Sequence, residues 1–201
     1  MTKTIPTPQT LSEDEYGIVA TFSNKSLDSL SAIQAQLHDI LGDAVWFTPQ
    51  RALHSTLMEI ICDTDYKSAS RQQLLTDWYE RYNQIVTEAI AKLEPFEVTF
   101  DQLEVHPRAI IVRSSDSRSF DAIRSKLLSK INLPTGTKQP PDIIHCSLAR
   151  YNKVLNVENI IEQTKMININ FTERISNFKL LKDLGPPSFD PKMVQMYKIG
   201  L

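Results

Sequence analysis

Apolar positions along the chain follow two periods, one of about two residues and one of three to four, and their alternation outlines the elements. Residues 17–22 (GIVATF) are short and β-branched and predict a strand. Ser26 can cap a helix with Asp28 in its first turn. Leu27, Leu30, Ile33, Leu37 and Ile40 recur at helical spacing and Gly42 suits its end. Residues 45–48 predict a short strand stopped by Pro49, and 53–61 (LHSTLMEII) a stronger one. A long helix is expected over 70–93, with Leu74, Trp78, Tyr82, Ile85, Ala89 and Ile90 along its core face. Residues 96–105 alternate as one strand through Phe96, Val98, Phe100 and Leu103.

The second half replays the first. Residues 109–112 predict a strand, Phe120, Ile123, Leu127 and Ile131 a helix, and 143–151 a strand reached through a Pro/Gly-rich loop, 133–141. Asn156 can cap another helix, with Leu155 and Ile160 stapled across the cap. Strands near 177–184 and 194–199, separated by GPPSFDPK, close the chain. Each half thus runs strand, helix, histidine-bearing strand, helix, strand. The expected class is α+β, with mostly antiparallel sheets and flanking helices in two pseudosymmetric lobes around a central cleft. Residues 1–12 are expected to be a loose, Pro/Thr-rich arm, and 13–201 a single bilobal domain.

Composition narrows the partners. A chain of 201 residues, 41% hydrophobic and 23% charged, can bury a substantial core. Its net charge of -2 argues against coating long duplex nucleic acid, but a nucleotide or short RNA end needs only a few local donors. The two cysteines, Cys62 and Cys146, form neither a disulfide framework nor a zinc pattern, which fits a reducing cytosol. The N-terminus has no apolar signal region, and no stretch reaches the roughly 18 apolar residues of a membrane span. A cytoplasmic monomer is the expectation.

The chemistry concentrates in two tetrapeptides, His54-Ser55-Thr56-Leu57 and His145-Cys146-Ser147-Leu148. On a strand, residues i and i+2 share a face, so His54 projects with Thr56 and His145 with Ser147. One such tetrapeptide occurs at a given histidine about one time in twenty by chance. Two among four histidines, at matching places in a repeated pattern, are far more specific. Histidine, with an unperturbed pKa of about 6.5, serves as base or acid at neutral pH. Two of them flanking a phosphorus supply both proton transfers of an in-line displacement, while the hydroxyls donate to the non-bridging oxygens.

This pattern resembles the two-histidine (2H) phosphoesterase superfamily, marked by two H-x-[T/S]-hydrophobic motifs in two pseudosymmetric lobes. The superfamily includes cyclic phosphodiesterases, enzymes of the 2'-5' RNA ligase type and RNA-end-trimming phosphodiesterases. The resemblance spans about residues 16–201 as an architecture, but its specific content is the two tetrapeptides. It implies catalysis by His54 and His145, phosphate binding by Thr56 and Ser147, a nucleotide or RNA-end substrate, and no cofactor or metal. The alternative is a catalytically silent nucleotide- or RNA-binding module of the same fold. A serine esterase is disfavoured by the absence of G-x-S-x-G.

Other residues are weaker candidates. Strand parity puts Tyr151 on the His145 face, where it could stack on a base. Arg51, Lys138 and Arg150 are the basic residues nearest the motifs and could hold phosphates. Glu59 and Asp142 could orient an imidazole, and the 133–141 loop could be a lid. His38 and His106 have no partner motif, and Cys146 faces away from His145. A zinc site on His54, His145 and a carboxylate lacks any supporting spacing. Trp78 and Tyr82 belong to a core stripe.

Overall fold

The computed structural model describes residues 2–7, 15–62, 70–182, 184 and 189–200. In chain order its elements are β1 (Tyr16–Thr21), α1 (Asn24–Leu41), β2 (Val45–Phe47), β3 (His54–Ile61), α2 (Arg71–Ala91), β4 (Phe96–Phe100) and β5 (Gln102–Val105). There follow β6 (Ile110–Arg113), α3 (Arg118–Leu128), β7 (His145–Tyr151), α4 (Val157–Thr164), β8 (Phe171–Ile175), β9 (Asn177–Lys182) and β10 (Lys192–Lys198). The strands form two four-stranded sheets, ordered β10-β9-β1-β3 and β2-β7-β6-β5, and a two-stranded ribbon, β4-β8. Every pairing is antiparallel, as expected for this α+β chain. The first histidine strand, β3, ends one sheet, and the second, β7, lies inside the other.

Helix α1 is capped three residues before the expected position. Ser23, not Ser26, accepts the first-turn N–H, while Ser26 is buried within that turn. Ser23 is itself held by Glu173, which accepts from its N–H at 3.0 Å and its hydroxyl at 2.8 Å. Helix α2 is capped by Ser70 and buries Leu75, Trp78, Tyr82, Val86, Ala89 and Ile90, so the core stripe is turned slightly from the expected one and leaves Leu74 and Ile85 at its margin. Helix α4 is capped by Asn156, as expected. Helix α2 packs against β3 and β10, and α1 against β7 and β8, so that Leu30, Leu37, Val86 and Ile90 are fully buried. Each such aliphatic stabilises the fold by about 1.5–3 kcal/mol.

Further expectations are corrected, and β8 is an element beyond them. The single strand over 96–105 is two strands in different sheets, because Asp101 breaks it and accepts from the N–H and hydroxyl of Ser115. β8 escaped the pattern because an inward-facing residue is Glu173, which is 5% exposed. The loose arm is tied down over residues 2–7: Lys3 bridges Asn156, Thr4 is buried, and the Thr7 N–H donates to Tyr151 O. Residues 8–12 of that arm, and 185–188 of the GPPSFDPK turn, lie outside the described residues. Among the described residues no helix is long and apolar enough to cross a membrane.

Candidate active site

The two histidine strands lie side by side. The His54 backbone N–H lies beside the Cys146 thiol and draws its pKa down against burial. Buried Arg124 of α3 then joins them one turn of the pleat away, donating from Nε to Leu57 O (2.8 Å) and from Nη2 to Thr56 O (3.0 Å) and Ile143 O (3.1 Å). Between the strands opens a cavity of about 370 Å³ whose lining includes His54, Thr56, His145 and Ser147. The four tetrapeptide residues expected to converge therefore share one cleft.

Both strands are irregular at the same place. β1 skips Leu57 in its register with β3, since Ile18 faces Met58 and Val19 faces Thr56. β6 likewise skips Leu148 in β7, since Ile110 faces Ala149 and Ile111 faces Ser147. The fourth residue of each tetrapeptide is thus a bulge residue, and both leucines are fully buried. A bulge leaves its extra residue outside the ladder, so its carbonyl needs another donor. Arg124 supplies it at Leu57. At Leu148 the Gln34 amide donates at 3.0 Å, beside the Thr48 N–H at 2.9 Å.

The bulges also decide which later side chains reach the cleft. Tyr151 was expected on the His145 face, but the Leu148 bulge reverses the alternation. Tyr151 is fully buried behind the sheet, with its hydroxyl donating to His106 O at 3.0 Å, and does not line the cleft. Arg150 takes the cleft position instead, and on β3 Glu59 does the same. Trp46, aligned with Arg150 across the β2–β7 pair, lines the cleft, as do Glu15, Arg108 and Lys138. Arg51 lies outside it, donating to Phe189 O and facing Asp190. Asp142 is exposed, and its charge acts on Arg124 rather than on an imidazole. The 133–141 loop forms one wall through Lys138, Gln139 and Pro141. It is tied to the end of β3 by Thr137 Oγ1 donating to Ile60 O and the Lys138 N–H to Cys62 Sγ.

His38 is exposed on α1, and His106 pairs with Glu104 at 2.9 Å. Cys146 faces away from the cleft, and burial pushes its thiol up to about 12. Among the described residues no group of three or more His, Cys, Asp or Glu side chains is placed to hold a metal ion.

Sequence reasoning passed over Arg124, Arg108, Trp46 and Glu15. Only Arg124 left a signal, since it sits on the buried face of α3 with Phe120, Ile123 and Leu127.

The imidazoles differ in their support. His54 Nδ1 lies 2.7 Å from Ala52 O. A carbonyl only accepts, so Nδ1 carries the proton in the neutral ring and Nε2 keeps its lone pair. His145 Nδ1 is buried with no hydrogen-bond partner among the described residues. Burial lowers the pKa of both rings. For His54 the charge of Arg150 adds to this while the Ala52 bond opposes it. His145 falls to about 4, with His54, Arg124, His106 and Arg150 contributing after burial.

A stability change follows. The unfolded chain protonates His145 near 6.5 and the folded protein only near 4, so between them the unfolded state binds more protons. The stabilisation is fully present above about pH 6.5 and is lost as pH falls toward 4, by about 3 kcal/mol for this one ring. Urea midpoints at pH 7 and pH 4 should therefore differ more in the wild type than in His145→Asn. Equal differences would contradict the assignment.

The model of the 2'-5' RNA ligase superfamily matches residues 29–186 of the chain. No curated protein matches the sequence. Among solved structures, TT0787 of Thermus thermophilus is similar over 92% of this chain and 98% of its own, with TM-score 0.62 and 14% identity. Escherichia coli LigT complexed with NADP+ covers 94% of this chain and 100% of its own, with TM-score 0.61 and 10% identity. ATU0111, a conserved protein of unknown function from Agrobacterium tumefaciens, covers 93% and 87%, with TM-score 0.60 and 11% identity. At these identities the likeness is one of fold.

Proposed function

The chain belongs to the 2'-5' RNA ligase superfamily, and we propose that it is a metal-independent phosphodiesterase opening a 2',3'-cyclic phosphate or cleaving a 2'-5' phosphodiester of a nucleotide or RNA end. The observation that carries this reading is the common cleft of His54, Thr56, His145 and Ser147. The phosphate sits between the two hydroxyls, which donate to its non-bridging oxygens. His54, whose Nε2 is the free lone pair of the neutral ring, takes the proton of the incoming water or hydroxyl. His145 protonates the leaving oxygen. Its pKa of about 4 makes it a poor proton carrier until a phosphate anion beside it raises that value. A nucleotide ligand is in keeping with E. coli LigT, whose structures include complexes with 3'-AMP and ATP. The protein works as a cytoplasmic monomer in this reading.

The test is a panel in EDTA: 2',3'-cyclic nucleotides, ADP-ribose cyclic phosphate, 3',5'-cyclic nucleotides and 2'-5' dinucleotides, assayed from pH 4 to 8. Turnover of a cyclic or 2'-5' substrate in EDTA is expected. The kcat/KM optimum should lie below pH 6.5, because kcat/KM reports the free protein and both free imidazoles are depressed. Binding without turnover, by a protein shown to be folded, would instead support a silent binding module. Activity only with added metal would overturn the mechanism.

A further inference from the structure

The two bulged strands deliver opposite chemistry to the cleft. Glu59 follows His54 by the same interval as Arg150 follows His145, and each is brought onto the cleft face by the bulge at Leu57 or Leu148. The strands run in opposite directions past each other: His54 lies beside Cys146, whereas Thr56 and Leu57 are joined through Arg124 to Ile143. At about 3.3 Å per residue, Glu59 and Arg150 stand roughly 15 Å along their strands from the histidines, at opposite ends of the cleft.

The ends also differ in what they can bind. Around Arg150 stand Arg108, whose charge it feels, and Trp46, aligned with it across β2–β7. Trp46 is 9% exposed, and its Nε1 is buried with no hydrogen-bond partner among the described residues. Guanidinium and indole N–H groups only donate. Among the described residues Glu15 is the carboxylate whose charge acts on Arg150, one negative charge beside two positive ones. At the far end Glu59 Oε2 is a buried acceptor with no partner among the described residues. The Cys62 thiol bonds the same carboxylate, and Lys138 on the neighbouring loop lines this end as well. A buried donor or acceptor left without a partner is costly, so each is a place for a ligand group of the opposite kind.

We propose that the cleft binds its diester in one direction, with an arm bearing a second phosphate at Arg150, Arg108 and Trp46, and an arm offering hydroxyl or amino donors at Glu59. The proposal rests on the phosphodiesterase reading and names its substrate class further: a nucleotide or RNA end charged on one side of the scissile phosphate only. A second phosphate at Glu59 meets carboxylate repulsion in a partly desolvated site and leaves the donors at the other end unused.

Two isomeric 2'-5' dinucleotides test this, one phosphorylated at its 5' terminus and one at its 3' terminus, beside the unphosphorylated parent. The readouts are kcat, KM and, by calorimetry, Kd. Wild type is expected to favour one isomer by about tenfold or more in kcat/KM, chiefly through KM. Glu59→Gln should narrow that ratio severalfold by admitting the disfavoured isomer, and Glu59→Lys should erase or invert it. Trp46→Phe, which keeps the ring and removes the N–H, should weaken only the favoured isomer. Turnover of the parent with both isomers treated alike, or a ratio unchanged in Glu59→Gln, would overturn the proposal and leave the functional reading standing. No binding of any of the three, by a protein that still opens 2',3'-cyclic nucleotides, would overturn the proposal alone; no binding or turnover of either class would overturn both.

Discussion

Truncation of either His54 or His145 to alanine is expected to lower kcat by about 10³-fold, within the roughly 10²–10⁴ that a positioned acid or base contributes. The double variant should be little worse than either single one, because the two proton transfers belong to one displacement and their losses do not add. Thr56→Val and Ser147→Ala should cost less each, about tenfold to a hundredfold, since the surviving hydroxyl still holds the phosphate. Folding is a separable readout. Among the described residues His145 Nδ1 has no hydrogen bond to lose, so His145→Ala should be no less stable than wild type at pH 4, where the buried ring is a liability. His54→Ala gives up the 2.7 Å bond to Ala52 O and should lose about 1 kcal/mol at neutral pH. Retention of more than a tenth of kcat by either single variant would remove that histidine from the chemistry.

Much of this site was legible in the chain, for a reason that also marks where legibility stops. The tetrapeptides place His54 with Thr56 and His145 with Ser147 by strand parity alone, a local property. Parity fails at the next residue, because a bulge is set by register against a neighbouring strand. Leu57 and Leu148 look like ordinary inward residues, yet β1 and β6 skip them. That is why Tyr151 was expected in the cleft where Arg150 stands. Trp46 belongs to β2, which pairs with β7 from the other half of the chain, a long-range choice invisible in residues 45–48. The break at Asp101 was visible in principle: Phe96, Val98 and Phe100 keep one parity and Leu103 the other. β8 was not, since its inward Glu173 is explained only by Ser23 far away in sequence.

Replacing Arg124 with methionine is expected to cost about 3–5 kcal/mol of stability, a large share of the roughly 5–15 kcal/mol that a domain possesses. The side chain is 5% exposed and lies over the Phe120 ring at 5.3 Å. Its guanidinium donates to three backbone carbonyls, those of Thr56, Leu57 and Ile143. Two of these sit at the β3 bulge and the third leads into β7, so one charge holds both histidine strands in place. Asp121, at 2.9 Å and 45% exposed on its side chain, is the counter-ion and remains hydrated when Arg124 is removed. The cost therefore comes mainly from the orphaned carbonyls. Lysine keeps the charge but cannot reach three acceptors with a planar fork, so Arg124→Lys should recover less than half of the loss. Arg124→Met also removes a positive charge that depresses His145, so the limb of the kcat/KM profile that His145 sets should move to higher pH in any folded variant. Purely structural damage lowers kcat without moving that limb. Gln34→Ala, which strips the corresponding support from Leu148 O while the Thr48 N–H remains, should cost only about 1 kcal/mol. Urea denaturation at pH 7 decides the matter: an Arg124→Met protein within about 1 kcal/mol of wild type, on the scale of one ordinary hydrogen bond, would mean that the bulged strand holds its geometry without the arginine.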